Sequence, residues 1–368
     1  MTPTNKVLLT VSGDIPPNLL AEIAAGDRPR TDYVEMSQGF GADLIDYAKA
    51  GESTGLMGKI IKAVGGNNAL LAWACFRQRK NYETIFTDGE QIGLPYALFM
   101  RLFGWMSNHN PAHLMITHLI STRSKMMLTG LFKLHRFIDL FLVYSTKQQE
   151  IICDSWNLPK ERAPFTPFMV DQNFFSAAEA EKQADIPGIT DIDKPYICSV
   201  GLEFRDYPTL MEAVEGLDIH IFIAAGSPWS KREDQTKNAD IPANVTVKRF
   251  TQKELRKLYH KSQFVVMPLL ENDFQAGVTA MLEGMALEKP IVCSQTQGQI
   301  DIIEDGQNGL YAKPGDPAEL RKAILQLFHD SEATKKMGKN ARHTIDDFMN
   351  LDLYVKRLKE FIEATKPN

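Results

Sequence analysis

Short apolar runs alternate with longer amphipathic segments along most of the chain. In the first half, apolar runs of strand length begin at Lys6, Thr31, Tyr82, His113 and Ile138. Segments with apolar positions three and four residues apart lie between them, including 55–80 and 93–106, and this spacing predicts helices. Strand–helix alternation at this pitch is typical of a mostly parallel sheet with helices on both faces.

The alternation stops over 176–194, which is polar and lacks apolar periodicity, and then resumes. Further strands are predicted from Pro195, Asp218, Asn244, Ser262 and Lys289, and the last helices from Asp316, Asp330 and Leu351. The pattern therefore predicts an α/β protein with two Rossmann-like, doubly wound parallel-sheet domains facing across a cleft. We assign 1–175 to the first domain, 176–194 to a linker and 195–347 to the second domain. The C-terminal helix lies in 348–368, and one arrangement packs it back on the first domain. A ligand is expected at the carboxyl ends of the strands.

Composition narrows the class of protein. The length of 368 residues fits two domains, and the net charge of −5 gives no support for a nucleic-acid partner. The four cysteines lack metal or C-x-x-C spacing, and no uncharged run is long enough to span a bilayer. We therefore expect a cytoplasmic protein with reduced thiols.

One basic, Met-rich segment complicates this picture. Residues 121–139 fit either a helix lying on an anionic membrane surface or a core helix with cationic ends, and we favour the core helix. The first alternative would place the protein at the membrane surface as a peripheral protein.

The helix predicted after "LLENDFQA" carries one long carboxylate among small residues. Glu283 lies opposite the apolar stripe of Val278, Met281, Leu282 and Met285. The first amides of this helix, opened by Gly277, suit a phosphate. Glu283, two turns on, could accept hydrogen bonds from sugar hydroxyls. The alternative is a structural carboxylate paired with a lysine or with backbone amides, and the residues alone do not decide between the two.

Two further strand-end turns contain small residues. In "SVGLEFRD", Gly201 ends a strand and Arg205 could meet a diphosphate, although a surface ion pair with Asp206 or Glu203 is the simpler interpretation. In "IAAGSP", Gly226 and Ser227 end another strand. Together with Gly277, these turns indicate a nucleotide-sized site.

The second half resembles the retaining GT-B glycosyltransferases of family four. The family's helix motif, approximately E-x-F-G-(x)4-E-A-M-A-x-G-x-P-V-V, is similar to "QAGVTAMLEGMALEKPIV". Four more segments match in order: "SVGLEFRDYPTLMEAV", "FIAAGSP", "QKELRKLYHKSQFVVMPLL" and "GQIDIIEDGQNGLYAKPGDPAELRKAI". "PFMVDQNFF" is similar to the family's approach to the linker. The resemblance covers Pro167 to the C-terminus, and the first half only in layout.

The resemblance implies roles for individual residues. Glu283 falls on the family's ribose-binding glutamate, and Arg205 on its phosphate-binding lysine. Gln275 replaces the glutamate that contacts the donor sugar, which removes a charge but keeps hydrogen bonding. His118, at a strand end in "MITHLIST", falls near the family's catalytic histidine, and the alternative is a histidine bonded to backbone. The implied donor site comprises Gly201, Arg205, Gly226, Ser227, Gln275, Ala276, Gly277, Val278, Thr279 and Glu283, with His118, Arg205 and Gln275 as the catalytic set.

The function expected from this resemblance is retaining transfer of a sugar from a UDP-, GDP- or ADP-sugar to a hydroxyl of a glycan, lipid or small molecule. No cofactor and no metal are expected, and Asp191-Ile-Asp193 is interpreted as linker. Two alternatives stay open: a non-hydrolysing sugar-nucleotide epimerase, and a catalytically degenerate binder of nucleotide sugars. Two departures from the family favour the degenerate binder: Leu202 or Glu203 stands where the family has an arginine, and Gln275 replaces a glutamate. Lys248 or Arg249 could supply the lost positive charge.

Overall fold

The computed structural model describes residues 6–190, 192, 194–226 and 240–365. These residues form two compact units. The first contains 6–21, 31–167 and 352–365, and the second contains 22–30 and 168–351. The chain therefore enters the second unit twice, and its last helix belongs to the first unit from Asp352 onward.

The first unit is built on a five-stranded parallel sheet. Its strands are β1 (Val7–Thr10), β2 (Asp43–Ile45), β3 (Thr84–Thr87), β4 (Ala112–Thr117) and β5 (Leu140–Val143), in the order β2-β1-β3-β4-β5. Every residue of β1, β3 and β4 is buried, as expected for a parallel sheet covered on both faces.

The strand predicted from Thr31 is wrong. This segment forms helix α2 (Asp32–Phe40), and the strand beside β1 is the short β2 that follows it. Asp32 and Glu35 in the first turn complement the helix dipole, and Gly41 ends the helix at φ 65°. The apolar alternation misled the prediction because Met36 is the buried residue of this surface helix.

Helix α3 (Tyr47–Gln78) is a helical hairpin rather than one straight helix. It is interrupted at Gly55 and Gly66, where φ is 59° and 72°. Arg77 Nη1 donates to the carbonyl of Thr54 at 3.3 Å, and a Cβ on Gly58 would lie 3.1 Å from Leu70 Cδ1. Residues 56–65, the outer arm, therefore fold back on the arm that follows Gly66.

Five more helices precede the second sheet along the chain, and a sixth, at the C-terminus, belongs to the first unit from Asp352 onward. They are α1 (Leu19–Ala24), α4 (Glu90–Phe103), α5 (Arg123–Leu131), α6 (Thr146–Trp156), α7 (Ala177–Lys182) and, at the C-terminus, α13 (Leu351–Ala364). Short 3-10 turns lie at Arg79–Asn81, Gly104–Met106, Leu134–Phe137 and Lys160–Arg162. The core-helix interpretation of 121–139 is wrong for α5, because Met127, Leu128 and Leu131 are exposed and Thr129 is the buried residue of this helix.

The second unit contains a six-stranded parallel sheet. Its strands are β6 (Tyr196–Val200), β7 (His220–Ala224), β8 (Val245–Val247), β9 (Val265–Met267), β10 (Ile291–Ser294) and β11 (Gly309–Ala312), in the order β11-β10-β9-β6-β7-β8. The edge strand β11 was not among the predicted strands. The helices are α8 (Tyr207–Val214), α9 (Gln252–Lys261), α10 (Val278–Ala286), α11 (Pro317–His329) and α12 (Ser331–Thr344), followed by a π-helical turn, Ile345–Met349.

The segment 22–30 is tied to the second unit by charge. The Arg30 guanidinium donates to Asp171 Oδ1 at 3.0 and 3.1 Å, and the Arg30 backbone N–H donates to Oδ2 at 2.8 Å. Lys253 on α9 forms an ion pair with Asp27. Over the described residues, no helix is both long and apolar enough to cross a membrane.

Candidate functional site

The turn after β6 buries a positive charge. Arg205 is buried, and its guanidinium donates to the carbonyl oxygen of Val200 from Nε at 2.9 Å and from Nη2 at 2.7 Å. Nη1 donates to the carbonyl of Glu203 at 2.8 Å. Burial lowers the pKa of Arg205, but a guanidinium stays charged at neutral pH. The predicted surface ion pair is therefore wrong.

The glycine that ends β6 makes this arrangement possible. Gly201 has φ 104°, and a Cβ at this position would collide with the Arg205 guanidinium. Its carbonyl accepts a hydrogen bond from the Tyr207 hydroxyl. The absence of a side chain at Gly201 thus leaves room for the Arg205 guanidinium.

The opening of α10 lies against the same arginine. Gly277 is the N-cap, with φ 80°, and no side chain caps the helix. A Cβ on Gly277 would lie 2.8 Å from both Nη1 and Nη2 of Arg205 and 2.8 Å from Met267 Sδ. The first amides of the helix, from Val278 and Thr279, have no partner within the helix. A fixed cation and the positive end of a helix dipole therefore meet at one place.

Gln275, two residues before the N-cap, has a buried amide without partners. Gln275 is 7% exposed. Neither Oε1 nor Nε2 meets a hydrogen-bond partner among the described residues. An unpaired buried amide is costly, and both hydrogen-bonding groups of this side chain are available to a ligand or a water.

A loop that the sequence analysis did not single out packs against this segment. Gln299 Nε2 donates to the carbonyl of Ala276 at 2.6 Å, and the Gly298 N–H donates to the carbonyl of Asn272 at 3.0 Å. A Cβ on Gly298 would collide with the backbone of Phe274. Loop 295–299 and loop 271–276 thus form one packed structure.

The same loop adds two more buried polar atoms without partners. Thr296 Oγ1 and Gln299 Oε1 lack hydrogen-bond partners in the described part of the chain, and both residues are buried. The sequence placed Gly298 and Gln299 at the start of a segment similar to the family's, but the unpaired atoms are visible only once the loops are packed.

Glu283 on α10 is buried and paired with a tyrosine. The hydroxyl of Tyr259, on α9, donates to Glu283 Oε2 at 2.9 Å. Burial raises the pKa of Glu283 to about 7, although the bond from Tyr259 acts in the opposite direction. Both faces of the helix around Glu283 are buried, since Ala280–Ala286 is buried throughout. Glu283 is therefore not solvated, and its partner within the described part of the chain is a hydroxyl rather than a lysine.

The turn after β7 is described only in part. The Gly226 N–H donates to the carbonyl of Ala224 at 2.9 Å. A Cβ on Gly226 would lie 3.7 Å from Arg249 Cγ, so the arginine considered as a substitute cation passes beside this turn. Ser227 lies outside the described residues.

His118 belongs to the first unit, one residue after β4. Its Nε2 lies 3.0 Å from the carbonyl oxygen of Asp88, and its backbone N–H donates to Glu90 Oε2 at 3.0 Å. The side chain is exposed, with its ring 5.3 Å from that of Tyr144. The backbone-bonded histidine expected as an alternative is observed, and the exposed ring remains able to bind a ligand.

Two carboxylates near His118 were not predicted. Asp88 follows β3 and accepts hydrogen bonds from the Ser12 N–H at 2.6 Å and from Thr10 Oγ1 at 2.5 Å. Burial raises the pKa of Asp88 and of Asp32, and the charge of Asp88 adds to the rise at Asp32. Asp88 could have been noticed from its position at a strand end, whereas Asp32 lies in the segment assigned to the wrong element.

Five of the predicted site residues come together in the second unit: Gly201, Arg205, Gln275, Ala276 and Gly277. Val278 and Thr279 lie in the next turn. Glu283 lies on the same helix, and His118 lies in the first unit. Among the described residues, no group of three or more His, Cys, Asp or Glu side chains could hold a metal ion. The second unit therefore places one arginine, the first amides of α10 and neutral hydrogen-bonding side chains together.

Comparison with known proteins agrees with this arrangement. Residues 190–344 match the family model described as Glycosyl transferases group 1. An uncharacterized glycosyltransferase of Methanocaldococcus jannaschii is 29% identical over 134 residues, which cover 36% of this chain and 37% of the relative. The chain thus aligns with about a third of that relative's length.

Solved structures resemble the chain over nearly its whole length. The Anabaena protein HepE in complex with UDP-glucose has a TM-score of 0.71 and 14% identity, covering 98% of this chain and 100% of HepE. Sucrose-phosphate synthase from Thermosynechococcus elongatus has a TM-score of 0.70 and 15% identity, covering 98% of each chain. The chain has the two-domain, Rossmann-like GT-B fold, which confirms the predicted fold class.

Proposed function

We propose that this chain, with a region similar to Glycosyl transferases group 1 over 190–344 and a GT-B fold, is a retaining glycosyltransferase that uses a nucleotide-diphosphate sugar. One observation carries the proposal: the Arg205 guanidinium lies against Gly277, where α10 presents its free amides. A cation and a helix N-terminus at one point suit a diphosphate.

The departing diphosphate is the group that most needs stabilisation. Negative charge grows on it as the bond to the sugar breaks, and Arg205 with the amides of Val278 and Thr279 meets that charge without reorganising. The three hydrogen bonds from Arg205 to backbone carbonyls hold the guanidinium in place before the ligand arrives.

Glu283 is proposed to bind the ribose of the donor. A carboxylate accepts from two hydroxyls at once, and the bond from Tyr259 fixes the orientation of the carboxylate. With a pKa of about 7, Glu283 is largely ionised above that pH and loses acceptor capacity below it.

The donor sugar is proposed to satisfy the unpaired atoms of Gln275, Thr296 and Gln299. Sugar hydroxyls donate and accept hydrogen bonds, so they match a buried amide, a hydroxyl and an amide oxygen. In a retaining reaction the acceptor hydroxyl attacks on the face from which the diphosphate leaves, and the diphosphate takes up its proton. The catalytic role of His118, the acceptor and the absence of a metal requirement stay predictions.

The test is calorimetric binding of UDP, GDP and ADP, and of their hexose conjugates, followed by product analysis with acceptor panels. HepE was solved with UDP-glucose, so UDP is the first nucleotide to test. We expect one nucleotide series to bind and its sugar to appear in an acceptor product with unchanged anomeric configuration. A changed free sugar nucleotide without acceptor would identify an epimerase, and binding without turnover a degenerate binder. If the folded protein binds none of these nucleotides, the proposal is overturned.

A further inference from the structure

The outer arm of the α3 hairpin exposes apolar side chains to solvent. Leu56 is 76% exposed, Ile60 51% and Val64 88%. These positions are four residues apart, so they lie on one face of the helix, and the exposed Met57 adjoins them. Soluble proteins seldom leave such a continuous stripe uncovered, which marks it as an interaction surface.

Basic residues flank the stripe. Lys59 and Lys62 lie on the same arm and are exposed. The wider segment 53–138 contains ten Lys and Arg residues but only three acidic ones, although the chain as a whole has a net charge of −5. Of the three, Glu90 is buried and forms an ion pair with Lys125 at 2.7 Å. The exposed face of the outer arm is therefore basic as well as apolar.

A second exposed apolar group lies at the end of α4, which packs on the other arm of the hairpin. The rings of Phe76 and Phe103 are 6.1 Å apart, and Leu102, Trp105 and Met106 are exposed. Trp105 lines a cavity of about 460 Å³ together with Arg101, Arg136 and Asp139. An exposed Trp beside arginines is typical of segments that lie at a membrane–water interface.

We propose that the outer arm, residues 56–65, together with the apolar group at 102–106, binds the surface of an anionic lipid bilayer. The apolar stripe would enter the headgroup boundary while Lys59 and Lys62 contact lipid phosphates. A second copy of the chain fits the surface poorly, because a two-fold interface would bring the same basic patch of both copies together. The inference goes beyond the proposed function and does not depend on it.

The test is co-sedimentation of the full chain with vesicles of phosphatidylcholine alone, and of phosphatidylcholine and phosphatidylglycerol in equal amounts. We expect binding to the anionic vesicles that weakens with added salt. Ile60→Asp combined with Val64→Asp should reduce the partition coefficient at least about tenfold, since each change replaces an inserted apolar side chain with a charge. Lys59→Gln and Lys62→Gln should each reduce it by about fivefold.

Ile241→Asp is the matched control, because Ile241 is 44% exposed and lies in the second unit. It should bind as the wild type does. Equal loss in Ile241→Asp, equal binding to both vesicle types, or no binding to either would overturn the proposal. Light scattering tests the alternative that this face binds a second copy of the chain. A dimer that dissociates in the Ile60→Asp variant would show that alternative and would also overturn the proposal.

Discussion

Gln275 carries a buried amide whose hydrogen-bonding groups lack partners in the described residues. Gln275→Leu keeps similar volume and removes the unpaired groups, so the free energy of unfolding should rise by about 1 kcal/mol. The same change should weaken donor binding about tenfold, because sugar hydroxyls lose their partner. Urea denaturation and calorimetry measure the two effects.

Gln148→Leu is the control for this prediction. Gln148 is also buried, but its amide accepts from the Ile120 N–H at 3.1 Å and donates to Ser121 Oγ at 3.0 Å. This variant should be destabilised by roughly 1–3 kcal/mol. If Gln275→Leu loses as much stability, the Gln275 amide already serves the fold and is not reserved for a ligand.

Glu283 should make stability depend on pH with a definite sign. Its folded-state pKa of about 7 lies above the ordinary value of 4.5, so the folded protein holds this proton more tightly than the unfolded chain. Stability should therefore fall as pH rises from about 4.5 to about 7 and stay level above that, by an amount on the order of 3 kcal/mol.

Glu283→Gln isolates this contribution, since the glutamine oxygen can still accept from Tyr259. The free energy of unfolding, measured from pH 4.5 to pH 8, should decline less in the variant than in the wild type. Parallel curves for the two proteins would show that Glu283 titrates normally. Donor affinity of the wild type should also weaken below pH 7.

At the scale of elements, the opening of α10 depends on a glycine for two reasons. Gly277 has φ 80°, and a side chain there would reach the Arg205 nitrogens. Gly306 has φ 75° with open space around it. Gly306→Ala should therefore lower the free energy of unfolding by about 1–2 kcal/mol, the cost of holding alanine at a positive φ. Gly277→Ala should lower it by more, and it should also weaken diphosphate binding because it displaces Arg205.

Denaturation of both alanine variants, with UDP binding alongside, checks this prediction. The difference between the two variants reports the contacts with Arg205 and Met267, because the φ values are nearly equal. Identical losses of stability together with wild-type binding of UDP would mean that Arg205 is not held against the helix opening.

The elements with strong patterns were predictable, and the exceptions have physical causes. The buried strands follow from apolar runs, and helices α8, α9, α11 and α12 follow from apolar runs and from cap residues such as Thr251 and Asp316. Strand β11 has only four residues and lies at the edge of its sheet, so its apolar signal is weak. The hairpin in α3 rests on the left-handed φ values of Gly55 and Gly66, which the sequence permits but does not require.

The candidate site was predictable in its residues but not in its contacts. Motif similarity identified Arg205, Gln275 and Glu283, yet the approach of Arg205 to Gly277 depends on side-chain packing between turns distant in sequence. Thr296, Gln299 and Tyr259 gained significance only from hydrogen bonding, and Asp32 was hidden by the misassigned strand.

At the scale of the molecule, the first unit depends on the end of the chain. Tyr354, Leu358 and Ile362 of α13 are buried, and the hydroxyl of Tyr354 lies 2.7 Å from that of Tyr144. Deleting 352–368 should remove this cover and destabilise the first unit while the second unit, which contains 168–351, stays folded. Hydrogen exchange resolved by peptide should show loss of protection in the strands of the first unit and unchanged protection in the second unit.

Tyr354→Phe is the milder control for the deletion. It leaves the Tyr144 hydroxyl buried without this partner, so it should cost roughly 1–3 kcal/mol without exposing β4 and β5. Uniform loss of protection across both sheets on deletion would show that the two units unfold together.

The placement of α13 also sets the order in which the protein can be completed during synthesis. The first five strands emerge from the ribosome early, but α13, which covers Tyr144, is translated only after the second unit. At ribosomal speeds of about 5–20 residues per second, the 184 residues of 168–351 take roughly 10–40 s to appear. Throughout that interval the first unit lacks the cover that Tyr354, Leu358 and Ile362 provide. We therefore expect it to present apolar surface that chaperones can bind until α13 is synthesised.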